Sequence, residues 1–172
     1  MLLWIKKFWR EMNESSRPVF FQKYVIPFLA LFFTWGLIGN IVLINIDANS
    51  LQKRTGEVSE INIKIERGKY THYPLYIKLK NNQNEFRLTD TYENDFSNLQ
   101  DQILKGDRIT LYIRYKWQTI LGWGKYYDIY QIDKDGETLF NLSTVITEKK
   151  SQVKIFAFLS LILWGWYFIN RL

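Results

Sequence analysis

The residues of this 172-residue chain whose types could do chemistry are few, and each meets a plainer reading. Asp133-Lys134-Asp135-Gly136-Glu137 has the look of a calcium loop, with carboxylates alternating ahead of a glycine. With Gly136 at the sixth position the twelfth falls on Leu142, where a bidentate glutamate is needed. The segment therefore reads as a hairpin turn. His72 is the only histidine, which excludes a multi-histidine metal site. A lone histidine can serve as a base or pH sensor. No serine or carboxylate pairing is legible around it, so it reads as structural or exposed. Asp90, Asp95 and Asp107 are the crowded acids. A hydrolase would need two of them to converge in a cleft, and each is better placed as a cap or turn residue. The expectation is no catalytic residue, no metal ligand and no cofactor.

The most unusual polar-region feature is Lys116 to Lys125, KWQTILGWGK. Trp117, Ile120, Leu121 and Trp123 are expected near a hairpin tip between two strands, as a ligand or membrane contact. Indole prefers the headgroup region of a bilayer. It also stacks on bases and sugars, and an ordinary core is the plain alternative.

Composition narrows the chemistry further. There is no cysteine, which removes disulfides, thiolate nucleophiles and Cys-based zinc or iron–sulfur sites. The net charge of +6 is mostly held beside two apolar blocks, with five Lys/Arg against two Glu in residues 1–23. That pattern suits a membrane surface better than a nucleic-acid footprint.

Those blocks must position everything else. Lys23 to Asp47 encloses 23 residues without Asp, Glu, Lys or Arg, and Lys154 to Arg171 encloses 16. A bilayer core of about 30 Å needs about 20 helical residues. The second block is short, but Lys154 and Arg171 can snorkel to the interface. The predicted organisation is an amphipathic juxtamembrane segment over 1–23, a first transmembrane helix over 24–46, a β domain over 47–142, a helical connector over 143–154 and a second transmembrane helix over 155–170. Residues 2–12 place Leu2, Ile5, Phe8, Trp9 and Met12 at helical spacing beside Lys6, Lys7 and Arg10, a helix lying in the membrane surface. Trp4, Trp9, Lys23, Lys154, Trp164, Trp166 and Arg171 are the expected interface anchors. Asn40 and Ser160 each lie six residues from a span's end. In antiparallel spans their depths match, so they are expected to pair, within one chain or between two. Neither span carries an ionisable residue, which argues against transport.

The first apolar run is longer than the about 7–15 residues of a signal peptide's core, so a retained signal anchor is expected. The Lys/Arg asymmetry places both termini in the cytoplasm and the central domain outside, in the cell (inner or plasma) membrane.

The middle alternates by twos. Val58 to Ile65, Tyr73 to Lys80, Glu85 to Leu88, Arg108 to Lys116, Tyr126 to Ile132 and Thr138 to Leu142 are the predicted strands. Asp135-Gly136 joins the last two. Asp90 to Glu93 has capping-box spacing for a helix carrying Phe96, Leu99, Ile103 and Leu104, which Gly106 is expected to stop. The fold class expected is an α+β membrane protein: two transmembrane helices bracketing a small OB-like, alternatively SH3-like, β barrel with one helix.

Three short motifs carry a resemblance: Gly56 and Val58 after the first span, Tyr73-Pro74 opening the next strand, and Lys105 to Tyr112, KGDRITLY. Over about residues 24–170 the chain resembles bacterial membrane proteins of unknown function in which two helices flank a small β-rich domain. The resemblance implies architecture and no activity. The aromatic loop and the basic N-terminal segment depart from it.

The expectation for function is a membrane-anchored binding or interaction module without identifiable catalytic chemistry. Its partners would be the lipid bilayer and a protein or second copy, with nucleic acid disfavoured. The alternatives are a membrane-bound hydrolase using Asp/Glu side chains and a cytoplasm-facing OB-type nucleic-acid binder.

Overall fold

A computed structural model describes residues 6, 17–91, 96–122 and 125–169. Apart from Lys6, the surface helix expected over residues 2–12, with Trp4 and Trp9, lies outside the described residues. After a short helical turn, Arg17–Phe20, and the segment Phe21–Val25 come α1 (Ile26–Ile44), β1 (Gln52–Ile63), β2 (Glu66–Arg67), β3 (Thr71–His72), β4 (Leu75–Leu79) and β5 (Glu85–Leu88). Then come α2 (Ser97–Gln102), β6 (Arg108–Ile113), α3 (Lys116–Gly122), β7 (Ile129–Lys134), β8 (Glu137–Phe140) and α4 (Leu142–Ile169). They form two compact units, Met1–Ile38 with Gln152–Leu172, and Gly39–Ser151.

The first unit is helical. Phe21–Val25 is a π turn closed by the Ile26 N–H on the Phe21 carbonyl. Pro27 lacks the N–H that would bond the Lys23 carbonyl, and the wider turn relieves its ring. The helical segments Phe21–Ile44 and Leu142–Ile169 are long and apolar enough to cross a membrane. Little of either is covered: Phe28, Leu31, Phe32, Trp35 and Ile38 are exposed on one, and Ile155, Phe158, Leu161 and Ile162 on the other. Within the unit the two helices meet at small and hydroxylated residues. Gly36 lies against the Phe156 ring, Phe33 and Phe156 have ring centroids 5.7 Å apart, and the Thr34 and Ser160 hydroxyl oxygens are 2.8 Å apart.

The second unit is a six-stranded antiparallel sheet in the order β5-β4-β1-β6-β7-β8. β1 is long because it serves two partners. Its first half pairs β6 from Gln52↔Ile113 to Glu57↔Arg108. Its second half pairs β4 from Val58↔Leu79 to Ile63↔Leu75. A register shift between Val58 and Glu60 lies where the partner changes, and such a bulge bends a strand. Val58, Leu75, Ile77, Leu79, Phe86, Leu88, Ile109, Leu111 and Ile132 make the core. Leu43 from the end of α1, Ile46 two residues past it, and Leu142 and Val145 from the start of α4 belong to the same cluster. The β domain's core thus begins inside the helix ends.

The barrel expected from the element order is not closed. A single parallel bridge, Arg87↔Asp128, links β5 to the residue before β7, with Arg87 N–H donating to the Tyr127 carbonyl at 2.9 Å. The β2–β3 ribbon is a second, two-stranded sheet that the sequence reading missed. α2 starts at Ser97 after Phe96, which makes no side-chain capping bond, and Glu93 of the capping box expected from Asp90 lies outside the described residues. Asp90 Oδ2 instead accepts the Tyr73 N–H at 2.8 Å. Gly106, at φ +101°, sits in the turn into β6 rather than at the helix end, its N–H on the Val58 carbonyl at 2.9 Å. Asp135 and Gly136, at φ 52° and 86°, make the tight β7–β8 hairpin that their types predict.

Candidate functional site

The segment after β6 departs most from its expectation. The alternation of RITLYIRYK predicts Arg114 outward with Arg108, Thr110 and Tyr112. Instead the β6–β7 register shifts between Tyr112 and Ile113, so that Tyr112 pairs Gln131 and Ile113 pairs Ile129. The residue skipped is Tyr130, so the bulge lies on β7, and β6 itself ends at Ile113, just before Arg114. Arg114 is 1% exposed while Tyr115 is exposed. The Arg114 guanidinium lies 5.0 Å from the Tyr130 ring centroid, and its Nη1 donates to the Gln118 carbonyl at 3.1 Å.

Lys116 to Gly122 is the helix α3, where the sequence suggested a hairpin tip. Gln118 starts it. Its Oε1 accepts the Tyr115 N–H at 2.8 Å, which is the third-position half of a capping box. Its Nε2 donates to the Ser50 carbonyl at 3.3 Å, tying α3 to the turn after α1. With Gln118 and Thr119 buried beneath, Trp117 (57% exposed) and Ile120 (65%) stand outward, three residues apart. Of Leu121 only its place in α3 is described, and Trp123 lies outside the described residues.

Between α3 and the end of α1 runs an open groove of 530 Å³. Ile41, Val42, Asn45 and Ile46 make one wall, Tyr115 and Trp117 the other, and Ser50 and Gln118 complete it. Its volume falls in the about 300–1,000 Å³ range of small-molecule sites, and its lining is chiefly hydrocarbon and aromatic. Such a lining suits an apolar group.

A second constellation is charged. Arg87 on β5 donates through Nε and Nη2 to the two carboxylate oxygens of Glu66, each at 3.2 Å. Its Nη1 reaches Asp128 Oδ1 at 3.2 Å. The Tyr76 hydroxyl donates to Glu66. Asp128 Oδ2 accepts the Lys125 N–H at 3.0 Å. The Tyr76 bond, with Arg87 behind it, holds the Glu66 carboxyl below its usual range despite burial. Burial and the same carboxylate push the Tyr76 phenol up to about 12. Burial opposes the Arg87 charge, but Asp128 and Glu66 outweigh it and raise the guanidinium's pKa. These groups satisfy one another across the β5–β7 gap, the arrangement of a staple.

The acids singled out in the sequence are also occupied. Asp107 Oδ2 meets Lys134 Nζ at 2.5 Å and accepts the Leu104 N–H at 2.7 Å. Those two contacts lower its pKa, Lys134 first. Asp133 takes the Tyr112 hydroxyl at 2.7 Å and the Gln131 amide and Thr138 hydroxyl at 2.9 Å each. The Tyr112 phenol is pushed to about 12 by that bond and by burial. Asp95 lies outside the described residues. His72 has the carboxylate partner the sequence did not reveal: its Nδ1 is 3.1 Å from Asp90 Oδ1. Among the described residues no group of three His, Asp or Glu side chains could hold a metal.

No protein family, curated protein or solved structure matches this chain.

Of the residues expected between the spans, Asn40 is 8% and Ser160 6% exposed. Ser160 is engaged by Thr34, which also accepts the Trp164 indole N–H at 3.0 Å. Trp164 is thus a helix–helix contact, whereas Trp166 and Lys154 are exposed. Lys23 Nζ lies 5.2 Å from the Tyr24 ring centroid, and Arg171 is outside the described residues. Gln118 could have been found from sequence, since Tyr115 to Gln118 has capping spacing and Trp117, Ile120 and Leu121 have helical spacing. The Arg87 staple had no local signal, because its partners are 21 and 41 residues away.

Proposed function

We propose that this chain is a membrane-anchored recognition module: two spans, Phe21–Ile44 and the apolar part of α4, holding an OB-like domain at the outer face of the cell membrane. The observation that carries it is the membership of Leu43, Ile46, Leu142 and Val145 in the β core. Core residues drawn from the ends of two apolar segments support an anchor joined to the domain without a linker. The uncovered apolar side chains of both helices support lipid as their solvent. The parallel Arg87↔Asp128 bridge, with β1 pairing both β4 and β6, supports an OB-like path that stops short of closure. In this reading the domain recognises a ligand or protein, or a second copy, by surface contact and carries out no reaction.

Placement is testable because the chain has no cysteine of its own. A single cysteine at Asp135, in the exposed β7–β8 turn, would react with a membrane-impermeant maleimide in intact cells, while the protein resisted carbonate extraction. Carbonate release would end the spanning reading. Labelling only after permeabilisation would reverse the orientation.

A further inference from the structure

β1 changes partner at Val58. From Gln52 to Glu57 it has β6 on one side, and β4 joins its other side only from Val58 onward. In an antiparallel ladder alternate residues turn both backbone groups to the same neighbour. Val58 turns its own toward β6: its N–H meets the Asp107 carbonyl at 2.8 Å, and its carbonyl accepts the Gly106 N–H at 2.9 Å. Glu57 turns the other way, where its carbonyl accepts the Lys80 N–H at 2.9 Å. By the same alternation Thr55 and Lys53 face the side of Glu57. There the chain has already turned off, with the Asn82 N–H on the Leu79 carbonyl at 3.1 Å. Among the described residues no strand stands beside Thr55 and Lys53 on that side. Their N–H and carbonyl groups are an open strand edge.

A cleft of 350 Å³ lies along this edge. One wall is the unbroken run Lys53 to Glu57, and Leu79, Asn81 and Asn82 make the other. Successive side chains of a strand point to opposite faces, so a cleft lined by consecutive residues follows the edge rather than either face. We propose that an extended, acidic segment of a partner protein adds to this edge as a further strand. The proposal deepens the recognition half of the reading above and rests on that half alone. A ligand for the edge must alternate donors and acceptors at strand spacing, which an extended peptide does. The charges select its side chains. Lys53 and Arg54 both line the cleft, and among the described residues no carboxylate pairs with either. Glu57, the acid of the same wall, is already bonded by Lys80 Nζ. Carboxylates on the incoming strand would complete the two free cations.

The test uses the full chain, isotope-labelled, in mild detergent, with two acetylated and amidated peptides as probes, Glu-Thr-Glu-Thr-Glu and Lys-Thr-Lys-Thr-Lys. Amide proton–nitrogen spectra are followed as each is added. The acidic peptide should move the Lys53 and Thr55 amides most, and the basic one should leave them in place. Thr55→Pro removes an N–H of the edge and none of the β6 ladder, a place where a strand tolerates proline. It should weaken the acidic peptide about five- to tenfold, the size of one lost backbone hydrogen bond. Thr55→Val keeps that N–H and should bind as the parent does, although both variants lose the Thr110 hydroxyl bond. Lys53→Glu with Arg54→Glu should reverse the preference toward the basic peptide. That pair is the second variant should proline disturb the fold, with the remaining β-domain amides as the check. Equal binding by the Thr55→Pro and Thr55→Val proteins, no preference between the peptides, or no movement with either would overturn the added strand. Movement confined to other strands would overturn it and leave a recognition domain standing. Carbonate release would defeat the anchored reading and leave this one intact.

Discussion

Gly36 and Phe156 are in contact so close that a Cβ on Gly36 would lie 2.4 Å from the ring's Cε1. Glycine here is a packing requirement set by the ring. Gly36→Ile should therefore push the helices apart, at an overpacking cost of about 1–3 kcal/mol. The pair Thr34→Cys and Ser160→Cys gives the readout, because the native hydroxyl oxygens are 2.8 Å apart. Oxidation should join the two cysteines efficiently while Gly36 is kept and poorly once Gly36→Ile is added. Equal yields would show that the contact does not set helix spacing.

Thr34 binds a second helix through one hydroxyl. It donates to the Ala30 carbonyl at 2.7 Å and so presents its lone pairs to Ser160 and Trp164. Thr34→Val keeps the shape and removes the acceptor. A loss of about 0.6–1.7 kcal/mol is expected, the size of polar contacts between helices in lipid. The sharper readout is the Trp164 indole N–H, whose exchange with solvent deuterium should quicken. An unaltered exchange rate would mean that the bond is not populated.

Arg87 fastens the open edge of the sheet. Its side chain is 15% exposed and its partner Asp128 10%, so Arg87→Gln leaves carboxylates partly buried without their cation. About 3 kcal/mol of stability should go, at the low end for breaking a buried pair. Amide exchange should rise first at position 87, whose N–H bonds the Tyr127 carbonyl, and at Lys125, whose N–H bonds Asp128. A uniform rise across the sheet would deny the staple role.

The same network fixes an acid dependence. The folded Glu66 carboxyl titrates below its ordinary value, chiefly because it accepts the Tyr76 hydroxyl. Its contribution is therefore present above about pH 4.3, the unfolded value, and is lost as pH falls through the lower folded one. Urea unfolding in mild detergent should show stability falling on acidification below that point. Tyr76→Phe should flatten that slope. A slope unchanged in the Tyr76→Phe protein would remove Glu66 as its source.

At the alkaline end, two phenols resist ionisation. Tyr76 and Tyr112 both stand at about 12 in the folded chain, above the ordinary value of about 10. A raised pKa gives stability that is complete below the unfolded value and lost as pH rises toward the folded one. Absorbance titration in the phenolate band should show two phenols ionising near pH 12. Tyr76→Phe and Tyr112→Phe should each remove one. Complete titration by about pH 11 would contradict both hydrogen bonds.

The sequence by itself determined what depends on neighbours along the chain. Two long uncharged runs became the apolar helical segments, because helix and hydrophobicity need only local succession. Period-two alternation located β4 and β5 closely, and Asp135-Gly136 marked its own turn, since few other residue pairs adopt positive φ twice. Tertiary structure decided what depends on pairing. The bulge at Tyr130 exists only when β7 lies beside β6, and Arg114, just past β6, is buried over the Tyr130 ring against the local pattern. β1 divides its length between β4 and β6, which no stretch of its own sequence specifies. The groove needed α1 and α3 brought together across about seventy residues of chain, a long-range contact whose loop entropy is offset only by the assembled core. Local spacing thus wrote the elements, and the non-local pairing of strands and packing of helices wrote the site.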